Sequence, residues 1–186
     1  MQKMSECEQT KGQSVLKHGQ SVKDYLFDLI DHMRSGSSLK YEWKLPDWLM
    51  ENKEFILSSL PNDETLELYT IYHDCGKPFC LLVDSDGKRH FPNHSQVSFY
   101  YFNQVFDNPV AAQLVKHDMD IHTLKSDGVE EFCNNPYALT LLLTGISETH
   151  SNAQMFGGVE SDSFKIKNKN ISKRGKQIIN NLKNKN

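Results

Sequence analysis

Apolar side chains in this chain return at intervals of three and four, the spacing of one face of an α-helix and not of a strand. Between residues 14 and 33 they fall at Val15, Val22, Leu26, Leu29, Ile30 and Met33, and Gly36 with its neighbouring serines stops the run. Residues 46–60 place a proline and an aspartate ahead of a second periodic stretch, the opening expected of a helix. Residues 62–76 begin with cap-type residues and end at Gly76, which predicts a third helix with His73 and Asp74 in its last turn. The segment "FCLLVDSDGKRHF" that follows has an apolar run, an Asp-Gly turn and a polar return, and reads as a short hairpin or irregular loop. Helical spacing resumes at 94–106, 109–117, around 127–133 and at 136–155, with Pro109 and Pro136 as first-turn prolines. The expectation is an all-α fold: residues 1–12 disordered, 13–160 one folded domain, and 161–186 a tail or a last helix.

At 186 residues the chain is long enough for one core. No apolar run approaches the roughly 20 residues that cross a bilayer, and the polar start lacks the apolar stretch of a secretory signal. The expected setting is therefore soluble and cytoplasmic, without a membrane partner. Cys7, Cys75, Cys80 and Cys133 are scattered and form no CxxC pair, so reduced thiols are expected. The net charge of −3 conceals an asymmetry: residues 163–186 carry eight Lys or Arg and no acid, leaving 13 basic against 24 acidic residues before them. Such a stretch could lie on nucleic-acid phosphates, although a solvated terminal helix or frayed end is the commoner reading of a chain end.

The polar residues matter by the face they occupy. His18 lies between Val15 and Val22 in the apolar stripe of the first helix; His73 continues the row of Leu66 and Tyr69. His94 shares a face with Val97 and Tyr101, and His117 with Val110, Leu114 and Ile121. On the last long apolar helix Leu141, Thr144 and Glu148 line up in the same way. Five helices thus each turn one metal-capable side chain inward. A single histidine on an apolar face is usually a hydrogen-bonded core residue, but a buried carboxylate such as Asp74 or Glu148 requires positive charge nearby. Imidazoles with carboxylates suit Mn, Fe, Co, Ni or Zn, whereas calcium takes oxygens alone.

The order His18, then the His73-Asp74 pair, then His94, His117 and a late carboxylate resembles the HD-domain superfamily of metal-dependent phosphohydrolases. More narrowly, "YHDCGKP", "FPNHSQV", "LVKHDMDIHTL" and "LLLTGISE" are similar to the HD domain of bacterial tRNA nucleotidyltransferases (CCA-adding enzymes), over residues 18–153. The resemblance implies a compact HD-domain helical bundle over 13–160. It implies a divalent ion, magnesium included among the candidates, on His18, His73, Asp74 and Glu148, with a second ion possible in such sites. The family has aspartate where Glu148 stands; glutamate reaches one methylene further, and His150 is the alternative ligand. These 186 residues leave no room for a nucleotidyltransferase part, so CCA addition is not expected of them.

The resemblance further implies a water made acidic by the metal, with Asp74 orienting it and Lys77 neutralising a phosphate oxygen. Lys77 also has a simpler account as a cation following a helix end. His94 and His117 would hold a second metal or donate hydrogen bonds to the phosphate. Asp118, Asp120 and His122 form a second His-Asp cluster, with Asp118 turned one residue further round, toward solvent; His32 and His90 are expected at the surface. The implied substrates are 2',3'-cyclic phosphates and 2'-nucleotides, on nucleotides or RNA ends. "SFYYF" at 98–102 could stack a base, although such a run is more often core. Two alternatives stay open: hydrolysis of a small free nucleotide, such as a deoxynucleoside monophosphate, a cyclic nucleotide or an alarmone, and a metal-binding regulatory protein without turnover.

Overall fold

Asparagine side chains open two of the helices. In the computed structural model, which describes residues 1–185, Asn62 accepts a hydrogen bond from the Thr65 amide at 2.9 Å at the start of Asp63–Tyr72. Asn108 does the same for Ala111 at 2.9 Å, ahead of Pro109–His117, where Pro109 occupies the first turn. The elements in chain order are α1 (Gln2–Glu6), β1 (Glu8–Thr10), β2 (Gln13–Ser14), α2 (Val15–Ser35), α3 (Asp47–Glu51), α4 (Lys53–Leu57), α5 (Asp63–Tyr72), α6 (Lys77–Cys80), β3 (Leu82–Val83), β4 (Arg89–His90), α7 (His94–Val105), α8 (Pro109–His117), α9 (Asp120–Thr123), α10 (Val129–Phe132), α11 (Ala138–Ser151) and α12 (Asp162–Lys185). The fold is mostly helical, and its strands form two small antiparallel hairpins.

The chain divides into two units. The first joins Met1–Lys23 to Pro61–Met119, so the N-terminal part of α2 belongs to it. Here α8 packs on α5 and α7, and α6 on α7 and α1. The core is filled by Val15, Val22, Leu66, Tyr69, Phe102, Ala111, Leu114 and Val115. Two glycines permit close approaches. A methyl group on Gly19 of α2 would lie 2.2 Å from the Ile71 carbonyl oxygen, and one on Gly76 would lie 2.3 Å from the Ser98 amide nitrogen. The first approach brings the N-terminal part of α2 against α5; the second lays the turn after α5 on α7.

The second unit joins Asp24–Leu60 to the residues from Asp120 onward. Its centre is α11, buried from Ala138 to Ser147, against which α12 packs, with Phe164 beside His150 and Ile171 beside Gly145; α12 also buries Ile178 and Ile179. The Asp28 carboxylate ties down the segment after α2 by accepting from the Lys40 amide and from Trp43 Nε1, at 3.0 and 2.9 Å. No helix among the described residues is long and apolar enough to cross a membrane.

Several expectations change. Residues 1–12 are ordered as α1 and the first hairpin, because Met4 and Cys7 are buried and their packing offsets the entropy of ordering. Residues 46–60 form two short helices that break at Asn52, whose φ of −116° leaves helical geometry. The third helix ends at Tyr72, so His73 caps it and Asp74 lies in the turns beyond. Gly76 adopts a right-handed φ of −80°; it is there for the contact with Ser98 and not as a left-handed helix stop. The basic residues 161–186 are mostly one helix, and a packed one.

Candidate metal centre

His18, His73 and Asp74 all belong to the first unit. Because α5 stops at Tyr72, the His73 ring turns back over its own helix and its Nδ1 meets the Thr70 carbonyl at 2.8 Å. A carbonyl can only accept, so Nδ1 carries the proton and neutral His73 presents the Nε2 lone pair inward. That nitrogen is 3.2 Å from His18 Nε2 and 3.2 Å from Asp74 Oδ2, while His18 Nε2 is 3.5 Å from the same oxygen. All three residues are buried, with 0% exposure for His18 and 2% for the other two.

This triangle fits a metal ion. Bonds of 2.0–2.1 Å to a transition ion place neighbouring donor atoms roughly 3.0–3.4 Å apart, close to the three separations found here. The two imidazoles and one carboxylate form a group able to hold a metal ion. A backbone carbonyl fixing the tautomer of a ligating histidine is also the usual outer support of such sites.

Two further expected residues, Lys77 and His94, fall around Asp74. Lys77 opens α6 and its ammonium donates to Asp74 Oδ2 at 2.6 Å, so it acts through this pair and not merely as a cation beyond a helix end. His94 is the first residue of α7, aimed by Asn93, which accepts a left-handed φ of 54° more readily than most residues. Its Nδ1 donates to the Phe91 carbonyl at 3.0 Å, and its Nε2 is 3.6 Å from Asp74 Oδ1. Burial, the largest single influence, pushes the Asp74 carboxyl up. The Lys77 ammonium, and after it His73 and His18 when their rings are protonated, more than offset it and hold the group well below the usual carboxylate range. The neighbouring Cys75 thiol is pushed up to about 12 by burial and then by Asp74, and stays protonated at neutral pH. All four cysteines are free thiols.

His117 ends α8 and is half-buried. Asp118, expected toward solvent, is instead buried and accepts from the Tyr69 hydroxyl at 2.6 Å. In the second unit Glu148 of α11 lies 2.8 Å from His122. His150, the alternative to Glu148, has both ring nitrogens in hydrogen bonds: Nδ1 donates to the Ile146 carbonyl at 2.8 Å and Nε2 accepts from the Lys44 amide at 3.1 Å. Burial lowers its pKa. His90 is exposed, as expected, whereas His32 is half-buried with its Nδ1 2.6 Å from the Ser37 carbonyl oxygen. The "SFYYF" run divides between a buried Phe102 and a solvent-facing Tyr100.

One residue of this centre carries no mark in the sequence pattern. Gln9 of the first hairpin accepts from the Lys77 ammonium at 2.9 Å. No local signal points to it, since the two residues are 68 positions apart. Compared with protein-family models, with curated proteins and with solved structures, the chain gives no match in any of the three.

Proposed function

We propose that this chain is a metal-dependent phosphohydrolase of the HD type, acting on the phosphate of nucleotides or RNA ends, with 2',3'-cyclic phosphates and 2'-nucleotides as the favoured substrates. The observation that supports it best is the buried triangle of His18 Nε2, His73 Nε2 and Asp74 Oδ2, with separations of 3.2–3.5 Å and the His73 proton fixed on the outer nitrogen. A divalent ion bound there would supply a water acidic enough to act as nucleophile near neutral pH.

The side chains divide the remaining work. His18 and His73 offer neutral nitrogens and Asp74 a carboxylate oxygen, a ligand set suited to Mn, Fe, Co, Ni or Zn. Lys77 brings a fixed positive charge to the same carboxylate and can neutralise a nonbridging phosphate oxygen as negative charge grows on it. His94, with its Nδ1 proton committed to Phe91, turns Nε2 toward the centre, where it can take up a proton or accept a hydrogen bond from water. For an RNA substrate, the exposed lysines of α12 are the proposed phosphate contact.

The test is reconstitution of the purified chain with each divalent ion, followed by a panel of 2',3'-cyclic, 2'- and 3'-nucleotides, dinucleotides and RNA. His73→Ala and Asp74→Ala are expected to lose both bound metal and hydrolysis while keeping a helical circular-dichroism spectrum. Full activity in either variant removes the mechanism. Selective turnover of one soluble nucleotide would move the substrate class, and metal binding without any turnover would refute the hydrolase reading.

A further inference from the structure

The N-terminal hairpin is built more firmly than a chain end requires. Met4, Cys7 and Val15 form a buried cluster against which Tyr72, Cys75, Leu81 and Phe91 pack. The Val15 amide donates to the Cys7 carbonyl at 2.9 Å, and Glu8 pairs with Arg89 at 2.8 Å. Gly12, at a φ of 81°, makes the turn, and its amide donates to the Glu8 carboxylate at 3.1 Å. The pairing runs Glu8 to Ser14 and then Thr10 to Gln13, so the register slips between Glu8 and Thr10 and leaves Gln9 as the extra residue. An extra residue of this kind re-aims its side chain out of the ladder.

The re-aimed side chain reaches Lys77. The ammonium has three N–H donors; Asp74 Oδ2 takes one at 2.6 Å and Gln9 Oε1 another at 2.9 Å. The Phe91 ring lies 5.4 Å from the same nitrogen. One acceptor leaves an ammonium able to spin about its own C–N bond, whereas two fix the rotation and therefore the direction of the third N–H.

We propose that Gln9 is a positioning residue for Lys77, so that the first hairpin belongs to the phosphate-binding side of the centre; this rests on the phosphohydrolase reading above. Gln9 holds the ammonium in the one rotation that points its remaining donor at a nonbridging phosphate oxygen. A charge-assisted hydrogen bond of this kind carries enough energy for about a tenfold effect on rate.

Two measurements test it. In protein labelled with 15N-lysine, 15N relaxation of the Lys77 ammonium, assigned with Lys77→Arg, is expected to show a rigid group in the wild type. It should loosen in Gln9→Leu and stay ordered in Gln9→Glu, which keeps an acceptor. Unchanged order in Gln9→Leu overturns the proposal. In kinetics, Gln9→Leu is expected to lower kcat about tenfold with KM changed by less than about twofold. The loss should vanish in a Lys77→Met background, whereas an undiminished loss there would mean that Gln9 supports only the fold and would overturn the proposal. The relaxation experiment needs no turnover: a wild type without hydrolysis refutes the hydrolase reading, and the ammonium dynamics still decide the part played by Gln9.

Discussion

Asp74 is 2% exposed and its Oδ2 accepts from the Lys77 ammonium at 2.6 Å, so its charge survives burial chiefly through that cation. Removing one partner should therefore cost more than an ordinary contact. Lys77→Met is expected to destabilise the chain by about 3–5 kcal/mol, measured by urea unfolding in the presence of a chelator, since it leaves a buried carboxylate less compensated. A destabilisation below about 1 kcal/mol, the size of an exposed ion pair, would mean that water already reaches the site. Gly76 makes a separate residue-scale forecast. A methyl group there would meet the Ser98 amide at 2.3 Å, so Gly76→Ala is expected to cost about 1–3 kcal/mol by the same measurement.

At the scale of elements, periodicity read from the chain located most helices: α8 buries one face through Ala111, Leu114 and Val115, whereas α7 buries Ser98 and Phe102 and α11 is buried on every side from Ala138 to Ser147. What it could not register was tertiary. The end of α5 is fixed where the chain must fold back to lay Gly76 on Ser98, and the first hairpin exists because Met4 and Cys7 find a cluster assembled from residues far along the chain. The inward faces of His18, His73 and His94 were legible for the same reason as the core. Gln9 and the burial of Asp118 were not, since both depend on partners distant in sequence. On α11, burial keeps His150 neutral with its pKa below the ordinary value near 6.5. The unfolded chain then binds the extra proton, so this contribution to stability is complete above about pH 6.5 and is lost as pH falls toward the folded pKa. Thermal melts between pH 5 and 7.5 should show that slope in the wild type and a shallower one in His150→Gln, whereas parallel slopes would assign the pH response to other groups.

For the molecule as a whole, the concentration of positive charge at the end of the sequence takes a definite form: α12 buries Phe164, Ile171, Ile178 and Ile179 and leaves Lys165, Lys167, Lys169, Lys173 and Lys176 exposed. Deleting residues 163–186 would strip the packing from α11, so it cannot test RNA contact cleanly. Replacing Lys167, Lys169, Lys173 and Lys176 with glutamine is the better experiment. The melting temperature should hold, while RNA affinity falls and its salt dependence becomes shallower, by nearly one unit of logarithmic slope for each phosphate no longer neutralised. Unchanged affinity would leave the basic helix as a solvated face.

His18 and His73 stand 55 positions apart in the chain, with the whole of residues 24–60 between them. An ion gripping both would act as a reversible staple across a long excursion of backbone, favouring the folded chain by mass action and by the entropy it denies the unfolded one. Heat resistance and resistance to proteolysis should then follow the concentration of the ion, and both dependences should disappear in His18→Ala.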